Sequence, residues 1–532
     1  MAQAHLEATL HHACSLWVLI YHSNKKNYMK SLKKIFLFTL AAGMFFSCED
    51  AYNIKQYGEY GEDIAILTLE DMGLALSGVY NTVGTEDIIS FTSVFTDETA
   101  IGIDNGGQNQ ADYRFQLFAT NGYASAIWLQ NYRTINFANR LLKGAENVII
   151  DPASETAADD TVEKNRIMAE ARTLRAFAHF QLMTYFSTDL KSDSALGVIL
   201  LDHVPPTLPN VEELPRSTNG ELFTFINEDL DFATENLPIG NSNILVTPNF
   251  IKGLRARIAL YRGLYAEALT RSSEFATATG NGGLATATQY SSLFVPAGGT
   301  QSLIEVMFAL ERPNGKRGIV SEWYFNAANR GGGPFMEVSR SLYDVLRATP
   351  GDVRTNLIVQ PSSEIAEDYQ TVFDYRNEDV LLLGKYPGTP TALPLNNRIN
   401  VMRVSEMYFI KAEAQIATGD LEGARSTINF LRARRIVPAA SSILPAFADA
   451  TAAWKAVLDE RRKELAFEGH RYIDLKRLGT LAGVPGVQRY ERDCAPYGAC
   501  ELLVTDNRFT LPIPLDEING NSVIRSQQNP GY

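Results

Sequence analysis

The chain has 532 residues, 45% of them hydrophobic and 20% charged, with a formal net charge of −13. Such a chain can bury a large core, and its acidic balance argues against nucleic-acid binding, which needs a basic patch for phosphates. Seven histidines and four cysteines leave little material for metal ligation or thiol chemistry.

The first element is a targeting signal. Lys30, Lys33 and Lys34 precede an apolar run from Ile35 to Phe46, and Ser47 then precedes Cys48. Basic, apolar and small in that order is a secretory signal peptide, too short for a membrane span of about 20 residues. A cysteine at the cut points to lipoprotein processing, in which Cys48 is acylated and becomes the first residue of the mature chain. Residues 1–28 lie upstream of the basic region and read as an extension before Met29. Residues 29–47 are then the signal, and 48–63 the acylated cysteine and its linker. The mature chain has 485 residues, the 47 before Cys48 being removed. It holds 43 basic and 60 acidic residues, a formal charge of −17.

Beyond the linker the pattern is mostly helical. Leu69 to Val83 opens with Glu70 and Asp71, favourable at a helix N-terminus. Ser90 to Gly122 shows no period and reads as a long loop region, the kind that is commonly functional. Tyr123 to Asn147 is helical again. Val162 to Phe186 is apolar on so much of its surface that it belongs deep in the core. Leu196 to Pro215 is extended, and Leu222 to Leu237 helical. Around Gly263, Ala256 lies seven residues before and Ala268 five after; around Gly419, Ala412 and Ala424 take the same places. Each is a helix, a glycine turn and a second helix, half of a tetratricopeptide (TPR) signature. They stand 156 residues apart, so they are not a simple tandem array. Gly280 to Pro394 between them is loop-rich, with a short strand-like run from Leu303 to Ala309.

Cys494 and Cys500 flank a Pro/Gly turn. In an oxidising compartment the pair reads as a disulfide; the alternative, a metal site, lacks a nearby histidine or third thiol.

The C-terminal third carries diagnostic runs. Asp459-Glu-Arg-Arg-Lys-Glu-Leu-Ala-Phe-Glu-Gly-His-Arg-Tyr-Ile-Asp-Leu-Lys-Arg-Leu-Gly479 resembles the hallmark helix of the SusD/RagB family. Leu511-Pro-Ile-Pro-Leu-Asp-Glu-Ile518 and the terminal Gln528-Asn-Pro-Gly-Tyr532 resemble its C-terminal signature. Arg172-Thr-Leu-Arg-Ala-Phe177 and Ser341-Leu-Tyr-Asp344 extend the resemblance over the mature chain. The resemblance implies a mainly α fold: TPR-like helix pairs in one large SusD-like body, with long loop insertions and minor β content. Residues 64–280 form the N-terminal helical part with the first TPR-like unit. Residues 281–532 form the part with the loop-rich insertion, the second unit and the signature. It further implies a lipid-anchored outer-membrane protein facing the cell exterior, which binds glycan and docks on a SusC-like TonB-dependent transporter. Glu49 and Asp50 after the cysteine resemble a surface-export signal of such proteins.

Within the hallmark run, Glu460, Arg461, Glu464, Glu468, Arg471 and Asp474 put opposite charges three or four apart. A general acid/base pair is one reading, but an internal Arg–Glu network that ties the helix to its neighbours is the stronger one. His470 in that run reads as structural. No His-x-x-x-His, Gly-x-Ser-x-Gly or phosphate loop occurs, so neither catalysis, metal nor cofactor is expected. Sugar binding needs an aromatic face beside amide, carboxylate and guanidinium groups. Two loops supply that mixture: Phe91, Phe95, Asp97, Glu98, Asp104, Asn105 and Tyr113 in one, Trp323, Tyr324, Asn326, Asn329 and Arg330 in the other. Peptide capture, as in the RagB branch, is the alternative ligand class; a protein-binding TPR-like adaptor and a hydrolase are more distant readings.

Overall fold

Two glycines with the same turn set the helix pairs. In the computed structural model Gly263 and Gly419 have φ of 75° and 88°, a left-handed conformation that glycine adopts without a Cβ penalty. Each donates its N–H to the carbonyl three back, Leu260 and Ile416. The next residue, Leu264 or Asp420, reaches back to Ala259 or Gln415. That is a Schellman motif at both ends, and it satisfies carbonyls the helix leaves open.

The structure describes residues 65–206, 212–240, 242–276, 283–295, 301–312, 334–365, 379–389, 393–394 and 397–532. The signal peptide, Cys48 and residues 313–333, which hold Trp323, Tyr324, Asn326, Asn329 and Arg330, lie outside them. The contacts of Ala65–Tyr532 form one unit.

The N-terminal part stacks α1 (Leu69–Thr82), α2 (Glu86–Phe95), α3 (Gly122–Gly144), α4 (Ala157–Phe186) and α5 (Asn219–Asn236). Thr68 and Thr218 cap α1 and α5 in capping boxes with Asp71 and Glu221, which fixes where each helix starts. From Ile167 onward almost every residue of α4 is buried, so it forms the core axis, flanked by α3 and α5. The expected loop from Ser90 is instead the second half of α2. Its run Glu86–Phe95 is almost entirely buried, and a helix covered on every side shows no apolar period.

The first TPR-like unit is α6 (Pro248–Tyr261) and α7 (Tyr265–Ala276). After it come two short helices, α8 (Arg340–Arg347) and α9 (Val353–Ile358). The second unit is α10 (Val404–Ala417) and α11 (Leu421–Arg432). Helix α10 packs on both α7 and α11, so the units stack as consecutive repeats although an insertion separates them. Ala256, Ala268, Ala412 and Ala424 are all fully buried, and small side chains there let the helices approach closely. Strand β1 (Thr99–Ile101) pairs antiparallel with β3 (Met336–Val338), and β2 (Val306–Leu310) with β4 (Ile399–Arg403). The second pair closes the base of the insertion.

The hallmark run is two helices and not one. Helix α12 (Ala450–Glu464) stops, Phe467 and Gly469 take φ of 59° and 84°, and α13 (Arg471–Leu478) restarts. The break exposes main-chain carbonyls to side chains. Lys385 Nζ donates to Ala466 O at 2.8 Å, Tyr386 Oη to Phe467 O at 2.9 Å and Arg403 to Glu464 O at 3.0 Å.

Around this turn lies a buried charge network. Glu464 meets Arg403 at 2.9 Å, Arg435 at 3.0 Å and Arg354 at 3.3 Å. Glu305, from the residue before β2, joins Arg403 at 2.7 Å and Arg435 at 2.8 Å. Glu460 is shared by Arg354, Arg432 and Lys463. Burial pushes the Glu464 and Glu460 carboxyls up, but the surrounding guanidiniums outweigh it and hold both well below the usual range. A buried charge stripped of its partners costs about 3–5 kcal/mol. Glu464→Gln keeps the shape and removes the charge, so it should lower the unfolding free energy by about that amount in urea titration. Glu422→Gln, which breaks the exposed Glu422–Arg425 pair, should leave the midpoint unchanged.

Candidate functional site

Strands β1 and β3 form a stem from which the first loop region departs. Thr99 lies opposite Val338 and Ile101 opposite Met336. Just past β1, the Gly102 N–H donates to Phe335 O at 3.0 Å. Asn105, buried at 3% exposure, donates through Nδ2 to Phe335 O at 2.8 Å and Gln108 O at 2.9 Å. Its Oδ1 accepts from the Gly107 N–H and from Gln110 Nε2. Asn105 is thus a clamp that folds the 102–110 loop onto the stem, not a group offered to a ligand. On the other side, Arg312 binds Glu86 at 2.5 Å and Val83 O at 3.4 Å. Arg312 thus stands beside the start of α2, and the described chain resumes at Pro334, just ahead of β3.

The structure does not put most of the first loop's candidates at the surface. Phe91 and Phe95 are wholly buried, stacked on each other at 5.0 Å and meeting the Tyr472 ring edge-on at 5.1 and 5.8 Å. They pack the core because α2 has no open face. Tyr113 is also buried, its hydroxyl donating to Asp493 O at 3.2 Å and its ring 3.8 Å from the Arg489 guanidinium. Asp97 makes a two-bond pair with Arg471, both at 2.8 Å, and meets Arg462 at 3.2 Å. Burial raises its carboxyl, but those two guanidiniums outweigh it and hold it at about 2. Glu98 beside it accepts from Ser93 Oγ and the Phe467 N–H, and burial pushes it up to about 7. Such a split between neighbouring carboxyls suits acid/base chemistry, but both are buried and their bonds tie α2 to the α12–α13 turn. His470 is held at about 4, chiefly by burial. Asp104 alone of the set is exposed.

Sequence reasoning missed the strip that follows. A helical turn, Gln110–Tyr113, leads from the clamped loop into residues 114–118. There Tyr113, Phe115 and Leu117 are buried while Arg114, Gln116 and Phe118 are exposed, Phe118 to 64%. Exposure alternates strictly from 113 to 118, although the chain there is the end of a helical turn with Phe115 at a φ of 58°, not a strand. An aromatic ring, an amide and a guanidinium are thus exposed within five residues. Arg114 lies 5.7 Å from the Tyr497 ring, which meets Tyr113 edge-on at 5.5 Å. Tyr497 sits in the turn between Cys494 and Cys500, which are joined as a disulfide with Cα atoms 4.9 Å apart. Strands β5 (Gly486–Gln488) and β6 (Glu501–Leu503) hold this turn from below, and Arg489 donates to Ala499 O at 2.8 Å. Among the described residues no cluster of His, Cys, Asp or Glu is arranged for a metal ion, and no helix is long and apolar enough to cross a membrane.

Stacked TPR-like pairs with an insertion and a strand stem define a helical-repeat scaffold. The sequence profile of the SusD family matches residues 375–532, and that described as "Starch-binding associating with outer membrane" matches residues 72–252. SusD-like protein P2 of Formosa agariphila is 24% identical over 506 residues, covering 87% of this chain and 93% of that protein. A SusD superfamily protein of Bacteroides thetaiotaomicron superposes with a TM-score of 0.70 at 25% identity, covering 87% of this chain and all of that one. A presumed sugar-binding protein of Bacteroides vulgatus superposes at 0.67, also 25% identical, with 88% and 99% covered. The chain belongs to the SusD/RagB family.

A Cβ on Gly102 would stand 2.2 Å from the Pro334 carbonyl oxygen. Gly102→Ala should therefore force the stem apart, at about 1–3 kcal/mol, and lower the melting temperature measured by calorimetry. Gly122→Ala, where nothing lies within 4 Å, should not.

Proposed function

We propose that this protein captures glycan at the loops raised on the β1–β3 stem and passes it to a SusC-like TonB-dependent transporter in the outer membrane. It has no catalytic role. The acyl chains on Cys48 anchor it, facing the cell exterior. Supporting this are the family's own description, starch-binding and outer-membrane-associated, and a solved relative presumed to bind sugar. The observation that carries the reading is the exposed run of Arg114, Gln116 and Phe118, contiguous with the clamped loop that follows β1. A sugar presents a CH face and a rim of hydroxyls, which these residue types match.

Affinity electrophoresis through gels containing neutral polysaccharides, starch among them, tests it. Retardation by at least one is expected. Trp323→Ala and Phe118→Ala each remove an aromatic face worth about 1–3 kcal/mol by analogy with base–aromatic stacking, so affinity should fall by about one to two orders of magnitude. The melting temperature should not move. Binding of peptides with no polysaccharide retarded would replace glycan with peptide as the cargo.

Anchoring is tested separately. In cells lacking the partner transporter, the wild-type chain should incorporate labelled fatty acid and fractionate with the outer membrane. Cys48→Ala should do neither, because stable attachment takes more than one acyl chain on that thiol.

A further inference from the structure

Away from the loops, an open cleft of about 430 Å³ lies between the end of α3, one face of α4 and the extended segment at 202–204. Lys164, Met168 and Arg172 stand four residues apart along α4, so they form one stripe along the cleft wall. Lys143 on α3 adds a cation, His203 an imidazole and Leu142 an apolar group. This is a positive cleft in a chain of net charge −13.

Two of these charges, on Arg172 and Lys164, have no carboxylate to themselves. Asp229 lies 3.7 Å from Arg172, but its two oxygens are taken by Arg175 at 2.7 and 2.8 Å. The Arg172 guanidinium instead rests 4.3 Å from the Phe232 ring centre, and its Nε finds no hydrogen-bond partner. Stacking on a ring orients the planar cation, which keeps 30% of its side chain exposed at the cleft wall. Lys164 donates to the Val148 carbonyl oxygen at 2.8 Å, a neutral acceptor that leaves its charge in place. His203 is held between Asp202 and Glu212 at 2.7 Å each, so Asp202, one of two carboxylates at the cleft, is occupied. Glu146 is the other.

We propose that this cleft is a second saccharide site, specific for a sugar residue bearing a carboxylate or sulfate ester. Arg172 and Lys164 take the oxyanion, and Leu142 and Met168 face the ring's CH surface. The volume suits one or two sugar rings, at the lower end of the range for small-ligand pockets. This binding does not depend on the loops at the β1–β3 stem.

Isothermal titration of the purified mature protein with glucuronate, glucose 6-sulfate, glucose and inorganic sulfate tests it. At least one anionic sugar should bind at least tenfold more tightly than both glucose and inorganic sulfate. Its affinity should fall as salt rises, because the contact is ionic. Lys164→Gln and Arg172→Gln should each weaken it at least fivefold, and Trp323→Ala should leave it unchanged, which separates this site from the loop site. Lys164 is on the helix surface, so its variant reports even where Arg172→Gln perturbs the packing on Phe232. No anionic sugar binding, inorganic sulfate binding equally well, or affinity untouched in folded Lys164→Gln would overturn the assignment.

Discussion

The neutralisation of Glu464 is the constraint on which the rest of the architecture depends. Three guanidiniums converge on it from separate places in the chain: Arg354 at the start of α9, Arg403 at the end of β4 and Arg435 just past α11. None of the four can be solvated, since all are fully buried or within 1% of it. A buried carboxylate is tolerated only with its partners in place, so the insertion, the second TPR-like unit and α12 must all be docked before the network closes. The network therefore specifies an arrangement more than it adds stability, because an apolar cluster of equal volume can be as stable. Burial of one ion pair would fix one contact. Three cations on a single acid, themselves shared with Glu305, Asp352, Glu460 and Glu468, fix several elements at once.

The same logic runs from the network to the loops. Arg403 and Lys385 hold Glu468, Phe467 gives its N–H to Glu98, and Asp97 takes Arg471. Asp97 and Glu98 lie immediately before β1, so the stem that carries the loops is set directly by the α12–α13 turn. The Asp97 carbonyl also accepts from Ser339 Oγ beside β3. Both strands of the stem are thus pinned from below by polar bonds made in the core. Loops above such a stem can vary in sequence without loosening their base.

Much of the scaffold was legible because helices advertise their buried side. The two glycine turns, the flanking alanines and the apolar stripe of α4 follow from spacing alone, and so does the Arg–Glu network as the stronger reading of the hallmark run. What was not legible follows from two physical causes. Helix α2 is covered on every side, so Ile88 to Phe95 lacks a period, and its phenylalanines passed for loop aromatics. The break in the hallmark run arises because Lys385, Tyr386 and Arg403, far away in sequence, claim carbonyls that a continuous helix would bond internally. Local propensity favoured one helix and tertiary contacts won. Asn105 and Asp97 failed as ligand candidates for a related reason: a polar side chain in a loop is as useful for fastening that loop as for binding, and sequence does not separate the two uses. Phe118 was missed because the chain at 113–118 is the end of a helical turn with Phe115 in a left-handed conformation, so its alternating exposure is the period of no regular element.

The buried arginines divide by the partners they meet. Those around the α12–α13 turn have acids as partners and are withdrawn from water. Arg216 and Arg489 have main-chain carbonyls: Arg216 binds Gly197 O, Phe186 O and Gln527 O, and Arg489 binds Val94 O, Thr96 O and Ala499 O. Burial lowers both to about 10, still far above neutrality, so each stays charged and can satisfy several carbonyls that no strand or helix reaches. That explains how the C-terminal signature closes the fold. Asn529 donates to Phe186 O and Leu511 O while its own oxygen accepts from Arg216. Gln528 exchanges two bonds with the Ile513 main chain. The last residues thereby cap α4, the core axis, with side-chain amides. The end of this buried helix leaves carbonyls that need donors, which the Asn529 amide supplies while Arg216 takes its oxygen.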